Sequence, residues 1–228
     1  MLNETSGNMY EWITHTWNPI KGQCFHGCSY CFMKKLVGDK QKAVRLDDKE
    51  LKTDLGSGNF IFVGSSTDDW AANNPDEWIL KTLDHCDAFD NRYLFQSKNP
   101  QRFLQFLGHP VYRKAVFCTT IETNRWYPDV MNNSPSMGSR ADAMSKLHDL
   151  GFTTYITAEP LLDFDLPEMV ELLMKCAPAQ VNIGKNTNWK VQVPEPTPEK
   201  VQALVNALQG YTLVEPKSNA KKWGIYNR

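Results

Sequence analysis

Short apolar runs recur along the chain, and most are followed by a stretch with helical spacing. "NFIFVGSS" (59–66) reads as a buried strand, and "PDEWILKTLDHCDAF" (75–89) as an amphipathic helix opened by its proline. The pair then repeats. "NRYLFQSK" (91–98) predicts a strand and "NPQRFLQFL" (99–107) a short helix. "KAVFCTTIE" (114–122) predicts a strand, and "SRADAMSKLHDLG" (139–151) a helix with serine at its N-cap and glycine at its end. "FTTYITAEP" (152–160) and "LPEMVELLMKC" (166–176) form the next pair. "QVNIGK" (180–185) precedes "TPEKVQALVNALQG" (197–210), where Thr197 caps and Pro198 opens the helix. "YTLVEP" (211–216) offers a last strand and "EWITHTWNPI" (11–20) a first one.

Strand alternating with helix through the whole chain is the pattern of a parallel sheet covered by helices. About six such units fall short of a closed eight-fold barrel, which typically needs ~250 residues. The Gly-rich turn of a doubly wound dinucleotide fold does not occur. The expected architecture is therefore an α/β fold, a partial (β/α)6 TIM-like barrel, built as one domain over residues 1–228. In such a barrel, chemistry collects at the C-terminal ends of the strands. Those ends are polar here: Ser65, Ser66, Thr67, Asp68 and Asp69; Gln96, Ser97 and Lys98; Thr119, Thr120 and Glu122; Glu159; Lys185 and Asn186.

Composition adds limits. With 41% hydrophobic and 22% charged residues and seven tryptophans, the chain is suited to one buried core rather than to disorder. Its apolar runs are far shorter than a membrane span, and "MLNETSGNMYEW" lacks the basic and apolar blocks of a signal peptide. A cytoplasmic protein without a membrane partner is expected, in a compartment where clustered cysteines more often hold metal than pair as disulfides. Net charge is near zero, but "KSNAKKWGIYNR" (217–228) is basic and aromatic. Lys221, Lys222, Trp223 and Tyr226 there suit a phosphate backbone and unstacked bases, and equally a solvated tail with one aromatic tucked onto the core.

The sharpest chemistry lies in "GQCFHGCSYCFMKK" (22–35), where Cys24, Cys28 and Cys31 follow a C-x3-C-x2-C spacing. A closed tetrahedral zinc site needs four ligands, and His26 or His15 would have to complete it. A [4Fe–4S] cluster binds one thiolate per iron, so three cysteines leave one iron open to another ligand. Cys86, Cys118 and Cys176 are scattered singly and read as small buried hydrophobes. His85, His109 and His148 show no paired spacing and read as structural.

The cysteine spacing, with Tyr30 just before the last cysteine, resembles the radical S-adenosylmethionine (radical SAM) superfamily, in which such a loop follows the first strand of a partial (β/α)6 barrel. The chain looks most like a compact, phage-associated group of that superfamily and is more distantly similar to the spore photoproduct lyases. The likeness runs from "TWNP" (16–19) through "FVGSSTDDW", "QSKNPQRF", "TTIETNR" and "TAEPLLDF" to "GK" (184–185). It implies a metal-binding enzyme in which a [4Fe–4S] cluster on Cys24, Cys28 and Cys31 reduces SAM to give a 5′-deoxyadenosyl radical. An external electron donor of the flavodoxin or ferredoxin type is implied as well.

The same resemblance suggests how SAM is held. Many relatives carry Gly-Gly-Glu after the second strand to accept from the SAM ammonium; this chain departs from that and offers Ser65, Ser66, Thr67 and Asp68. Lys98 sits where the lyase-like relatives place a lysine for the SAM carboxylate. Glu122 and Thr120 would face the ribose, Arg140 would pair Glu122 or meet the SAM carboxylate, and Tyr30 would lie along the adenine. Lys98 and Arg140 as plain surface cations, and Ser66 and Thr67 as turn residues, are the bland alternatives. Glu159, Lys185, Lys221, Lys222 and Trp223 are candidates for substrate. Three functions stay open: radical modification, rearrangement or repair of a nucleic-acid base in DNA or RNA (a lyase, isomerase or DNA-modification activity); the same chemistry on a small molecule or peptide; and a non-catalytic zinc- or cluster-binding protein.

Overall fold

A computed structural model describes residues 1–225, so Tyr226 lies outside the described residues. Ten strands form among the described residues: β1 (Asn3–Glu4), β2 (His15–Trp17), β3 (Ile20–Lys21), β4 (Arg45–Leu46), β5 (Phe60–Val63), β6 (Arg92–Ser97), β7 (Ala115–Thr120), β8 (Thr153–Ala158), β9 (Gln180–Ile183) and β10 (Leu213–Pro216). The α-helices are α1 (Phe32–Val37), α2 (Asp76–Asp87), α3 (Pro128–Met131), α4 (Met137–Asp149), α5 (Leu166–Lys175) and α6 (Pro198–Leu208). The large sheet runs β1-β2-β5-β6-β7-β8-β9-β10, and β3 pairs with β4 in a small antiparallel ribbon beside the cysteine loop. Within the large sheet every pair from β2 to β10 is parallel, and β1 is antiparallel to β2. The order follows the chain, so each crossover moves one strand along, as a partial barrel requires.

Two apolar layers flank the strands. Ile61, Val63, Tyr93, Phe95 and Phe117 face the helices in the main core. Phe62, Leu94, Val116 and Cys118 point inward, as the two-residue period of a strand demands. The inner layer is completed by Tyr10 and Ile13, with Met9 and Trp12 packed against it. The segment before β2 thus plugs one end of the barrel, and Trp12 meets Tyr155 edge-on at 5.4 Å between centroids. Burying each such aromatic is worth about 1.5–3 kcal/mol.

Three elements differ from the sequence expectation. Of the expected first strand at 11–20, only His15–Trp17 enters the large sheet, while Glu11 and Trp12 lie in a turn. Helix α4 begins three residues early, because Ser136 rather than Ser139 is its cap: the Ser136 hydroxyl accepts from Ser139 N at 3.2 Å. Arg140 therefore lies within the first turn, fully buried. The segment at 99–107 winds as a 3-10 helix, Pro100–Gln105, rather than an α-helix. Among the described residues no helix is long and apolar enough to cross a membrane.

Candidate active site

A cavity of about 590 Å3 opens at the C-terminal ends of the parallel strands. Cys24, Cys28 and Cys31 all line it, and none is in a disulfide. The loop that carries them is anchored by backbone. Gly22 has φ +114°, and a Cβ there would lie 2.4 Å from Ala43 O, so only glycine lets the chain cross at the loop entry. Gln23 N donates to Lys42 O at 2.9 Å, and the Thr67 hydroxyl donates to Gly22 O at 2.8 Å. Cys31 occupies the N-cap position of α1, and Cys28 Sγ lies 3.3 Å from the Ser134 hydroxyl. Burial first, then the Asp68 carboxylate, pushes the Cys24 thiol up to about 12.

Asp68 is the hub of this arrangement. Its carboxylate accepts from the Ser97 hydroxyl at 2.8 Å, Lys98 N at 2.9 Å and Trp70 N at 3.0 Å, and it meets His26 Nε2 at 2.9 Å. Burial works against its charge, but His26 and the hydrogen bonds prevail and hold its carboxyl below the ordinary range. Asp68 lines the cavity, yet most of its acceptor capacity is spent within the protein. His26 is committed to Asp68 and not to the thiols, and His15 Nδ1 sits 2.9 Å from the Thr14 hydroxyl. Neither histidine completes a Cys3His set. The adjacent Asp69 is the opposite case. It is buried, neither of its oxygens has a partner among the described residues, and burial followed by repulsion from Asp68 pushes its carboxyl well up.

Ser65, Ser66 and Thr67 line the cavity beside Asp68. Asn18 fixes them: its side-chain oxygen accepts from the Ser65 hydroxyl at 3.1 Å and from Ser66 N at 2.8 Å. Asn18 belongs to the "TWNP" stretch, whose presence in the resemblance was the available signal for it.

Glu122 and Arg140 do not reach the cavity wall. Both are fully buried, and Arg140 Nη1 donates to Glu122 at 2.8 Å and to Thr120 O at 2.8 Å. The Tyr30 hydroxyl also donates to Glu122, and Lys98 Nζ lies 3.6 Å from the same carboxylate oxygen. Of the alternatives for Arg140, this is the ion pair. Burial opposes the Glu122 charge, but Arg140 and Lys98 hold its carboxyl below the usual value. Lys98 and Tyr30 do line the cavity, with the ammonium 5.2 Å from the ring centroid. One carboxylate therefore faces two cations, and the surplus positive charge sits at Lys98, on the cavity side.

Glu159 follows β8 and lines the cavity between both ends of the chain. Its Oε1 accepts from Asn8 at 2.6 Å and Asn219 at 3.0 Å; its Oε2 accepts from Lys217 at 2.6 Å. Lys217 lies 4.2 Å over the Tyr10 ring, and the Tyr10 hydroxyl donates to Gln96 Oε1 at 2.8 Å. Asn8 and Tyr10 were not singled out from the sequence; Gln96 was read only as a polar strand end and Lys217 only as part of the basic C-terminal segment, because their partners are distant in the chain.

Of the two readings of the basic, aromatic C-terminal segment, Trp223 follows the one that tucks an aromatic onto the core, and its role as a stacking face is corrected. Ser218–Trp223 winds as a 3-10 helix, whose three-residue period turns Ala220 and Trp223 together into the main core. Trp223 is buried and offers no stacking face, and Lys185 lies 4.7 Å over its ring while pairing Glu195 at 2.8 Å. Lys217 is held by Glu159. Lys221 and Lys222 are exposed and are not among the residues that line the cavity.

No protein-family model and no curated protein sequence matches the chain. Solved structures do. A spore photoproduct lyase variant with bound AdoMet and dinucleoside spore photoproduct superposes with a TM-score of 0.60 at 14% identity, over 91% of this chain and 64% of that one. Another lyase variant gives 0.68 at 12% identity, covering 91% and 78%. Streptococcus suis SuiB bound to its precursor peptide SuiA gives 0.61 at 11%, covering 93% and 51%. The fold is the radical SAM partial barrel. The chain spans just under two thirds of the length of the lyase with bound dinucleoside, and about half that of SuiB. The cysteine loop follows β2 after the short β3, and the cavity lies at the strand ends, as the sequence pattern implies.

Proposed function

We propose that the protein is a radical SAM enzyme that modifies, rearranges or repairs a nucleic-acid base. The observation that carries the first half is the donor set. Three thiols, outside any disulfide, line one cavity while His26 is tied to Asp68; among the described residues no three His, Cys, Asp or Glu side chains are gathered closely enough to hold a single ion. That set fits a [4Fe–4S] cluster with one iron left for SAM, and does not fit a closed zinc site. When bound, the cluster supplies the electron that cleaves SAM, and the cleaved SAM supplies the hydrogen-abstracting radical. The chain's own residues then bind and shield. Lys98 brings its surplus charge to the SAM carboxylate. Ser65, Ser66 and the Asn18-braced turn offer acceptors to the ammonium. Tyr30 presents a ring already fixed through its hydroxyl. Glu122 and Arg140 act behind Lys98 rather than on the ligand. An external flavodoxin- or ferredoxin-type protein delivers the electron.

The base is favoured by three observations. The cavity edge carries Lys34 and Lys35, whose ammonium groups cap the backbone oxygens of Gly27 and Thr187 and so keep their charge available to an anion. The floor is polar, as described for Glu159 and Lys217. A neighbour of the same fold holds a dinucleoside. The peptide in SuiB supports a second reading, with a peptide in the same cavity. The deciding experiment is mass spectrometry of nucleosides from DNA of cells, phage-infected or not, carrying the wild type or Cys28→Ala. A base that appears or disappears only with the wild type is expected. Unaltered nucleosides in DNA and RNA, with SAM cleavage intact, would leave the peptide reading.

A further inference from the structure

We infer that Trp189 and Phe32 form a stacking platform at the cavity mouth, for the bases that flank the altered one in a single-stranded nucleic acid. This rests on the nucleic-acid reading above and names how the rest of the strand is held. Both rings are bare for side chains of their size: Trp189 is 74% exposed and Phe32 44%. Leu36, one turn after Phe32 on α1, is 66% exposed, and no residue of that helix is buried. Phe32 and Leu36 both line the cavity, so this apolar surface belongs to its mouth and not to a remote face. Large apolar side chains left exposed together at one opening mark a surface that a ligand covers.

Trp189 reaches the same mouth through a braced loop. Asn186 and Thr187 line the cavity, and Trp189 follows Thr187 by two residues, at most about 7 Å of chain. Asn188, only 2% exposed, donates from Nδ2 to Cys31 O at 3.3 Å. Trp189 and Phe32 therefore each lie one peptide bond from an end of the same hydrogen bond. The loop is also closed on itself. Asn186 Nδ2 donates to Asn188 O at 3.0 Å and to Val191 O at 2.7 Å, and Asn188 N donates to Asn186 Oδ1 at 2.9 Å. A buried asparagine beside a bare tryptophan holds the indole's backbone in place before any ligand arrives, which lowers the ordering cost of binding.

Charge decides what covers this surface. Lys34 and Lys35 follow Phe32 on α1 and line the cavity, and Lys190 Nζ lies 5.8 Å from the Trp189 ring centroid. Lys34 and Lys35 donate to the backbone oxygens of Gly27 and Thr187, and among the described residues none of the three lysines meets a carboxylate. Cations without counter-charges, set among bare aromatics, suit a strand that carries phosphates and π-faces together. A stacked single strand advances about 3.4 Å per nucleotide, so a base held in the cavity brings its first or second neighbour over the rim. An acidic electron-donor protein would also meet these cations, but seated here it would close the mouth through which the substrate enters.

The test uses the cluster-loaded protein with SAM and a fluorescein-labelled, mixed-sequence single-stranded oligodeoxynucleotide, with binding read by anisotropy. Trp189→Ala is expected to weaken binding by about five- to a hundred-fold, the range of one lost base stack, and Trp189→Tyr to keep most of the affinity. The slope of log K against log salt is expected to stay at the wild-type value, because no phosphate contact is lost. A fully abasic strand of the same length keeps its phosphates and is expected to bind the wild type and Trp189→Ala alike. Phe32→Ala is expected to act in the same direction as Trp189→Ala, with iron content and SAM affinity measured on every sample because Cys31 is its neighbour. Wild-type oligonucleotide affinity in Trp189→Ala overturns the platform and leaves the nucleic-acid reading standing. So does an equal loss for the abasic strand, which would put the effect on the phosphates. If Trp189→Ala instead slows reduction of the cluster by a flavodoxin but not by dithionite, with oligonucleotide affinity intact, the surface seats the electron donor and the proposal falls. If the wild type binds SAM but no oligonucleotide, the nucleic-acid reading itself fails and the platform fails with it.

Discussion

A single buried carboxylate, Glu122, decides much of the site's electrostatics. It is fully buried against an equally buried Arg140. Removing one partner of such a pair leaves an uncompensated charge in the interior, so Arg140→Met is expected to destabilise the fold by about 3–5 kcal/mol. Arg140→Met combined with Glu122→Gln should recover part of that loss. The pH dependence has a fixed sign. Glu122 has a folded pKa below its unfolded value, so its contribution is present above about pH 4.3 and disappears as pH falls through the folded value. Without Arg140 the folded value rises toward the unfolded one, so the window between them narrows and the Glu122 part of the acid-induced loss shrinks. Denaturant titrations between about pH 3 and pH 7 on both proteins measure the difference. At the same scale, Lys98→Ala removes the surplus cation on the cavity side. A charge-assisted contact worth ~1.5–3 kcal/mol corresponds to a roughly ten- to hundred-fold loss of SAM affinity. Iron content is expected to stay unchanged, because Lys98 is not a thiolate. An unaltered SAM affinity would remove Lys98 from the ligand site.

At the scale of elements, the turn after β5 carries the tightest constraint. Gly64 has φ +77°, and a Cβ there would lie 2.5 Å from Asp69 Cγ. Gly64→Ala is expected to cost about 1–3 kcal/mol for the backbone alone, with the clash added. Gly64→Ala with Asp69→Ala should regain the clash but not the backbone cost, a split that thermal and denaturant unfolding of the single and double variants can resolve. This turn also marks where the sequence was legible. The strands and helices were readable because apolar period and caps are local: Thr197 caps α6 by accepting from Lys200 N at 3.3 Å, three residues on. The cysteine loop was readable because its spacing has few chemical uses. The Asp68–His26 and Glu159–Lys217 pairings were not, since they join residues 42 and 58 apart and neither end carries a local mark of its partner. Nor was the barrel plug at Tyr10–Ile13, whose burial exists only once the strands have closed around it.

Over the whole molecule, the decisive matter is which cations are free to meet a polyanion. Lys217 is spent on Glu159, Lys185 on Glu195, and Lys98 faces inward. Trp223 belongs to the core, so Trp223→Ala is expected to lower stability by about 3–5 kcal/mol whatever the substrate is. Removing the segment after Pro216 would therefore confound binding with unfolding. Lys221 and Lys222 are exposed and can be changed without that confusion. Lys34 and Lys35 differ from them by lining the cavity. If an oligonucleotide enters the cavity, the α1 pair contributes to phosphate contact and the C-terminal pair lies off its path. Replacing Lys34 and Lys35 by Gln should flatten the dependence of log K on log salt by up to about 0.7 per lost single-strand contact. Replacing Lys221 and Lys222 by Gln should leave both slope and affinity near wild type. The reverse outcome, a flattened slope only in the C-terminal variant, would mean that nucleic acid binds a surface away from the cavity and that the cavity's own substrate is something smaller.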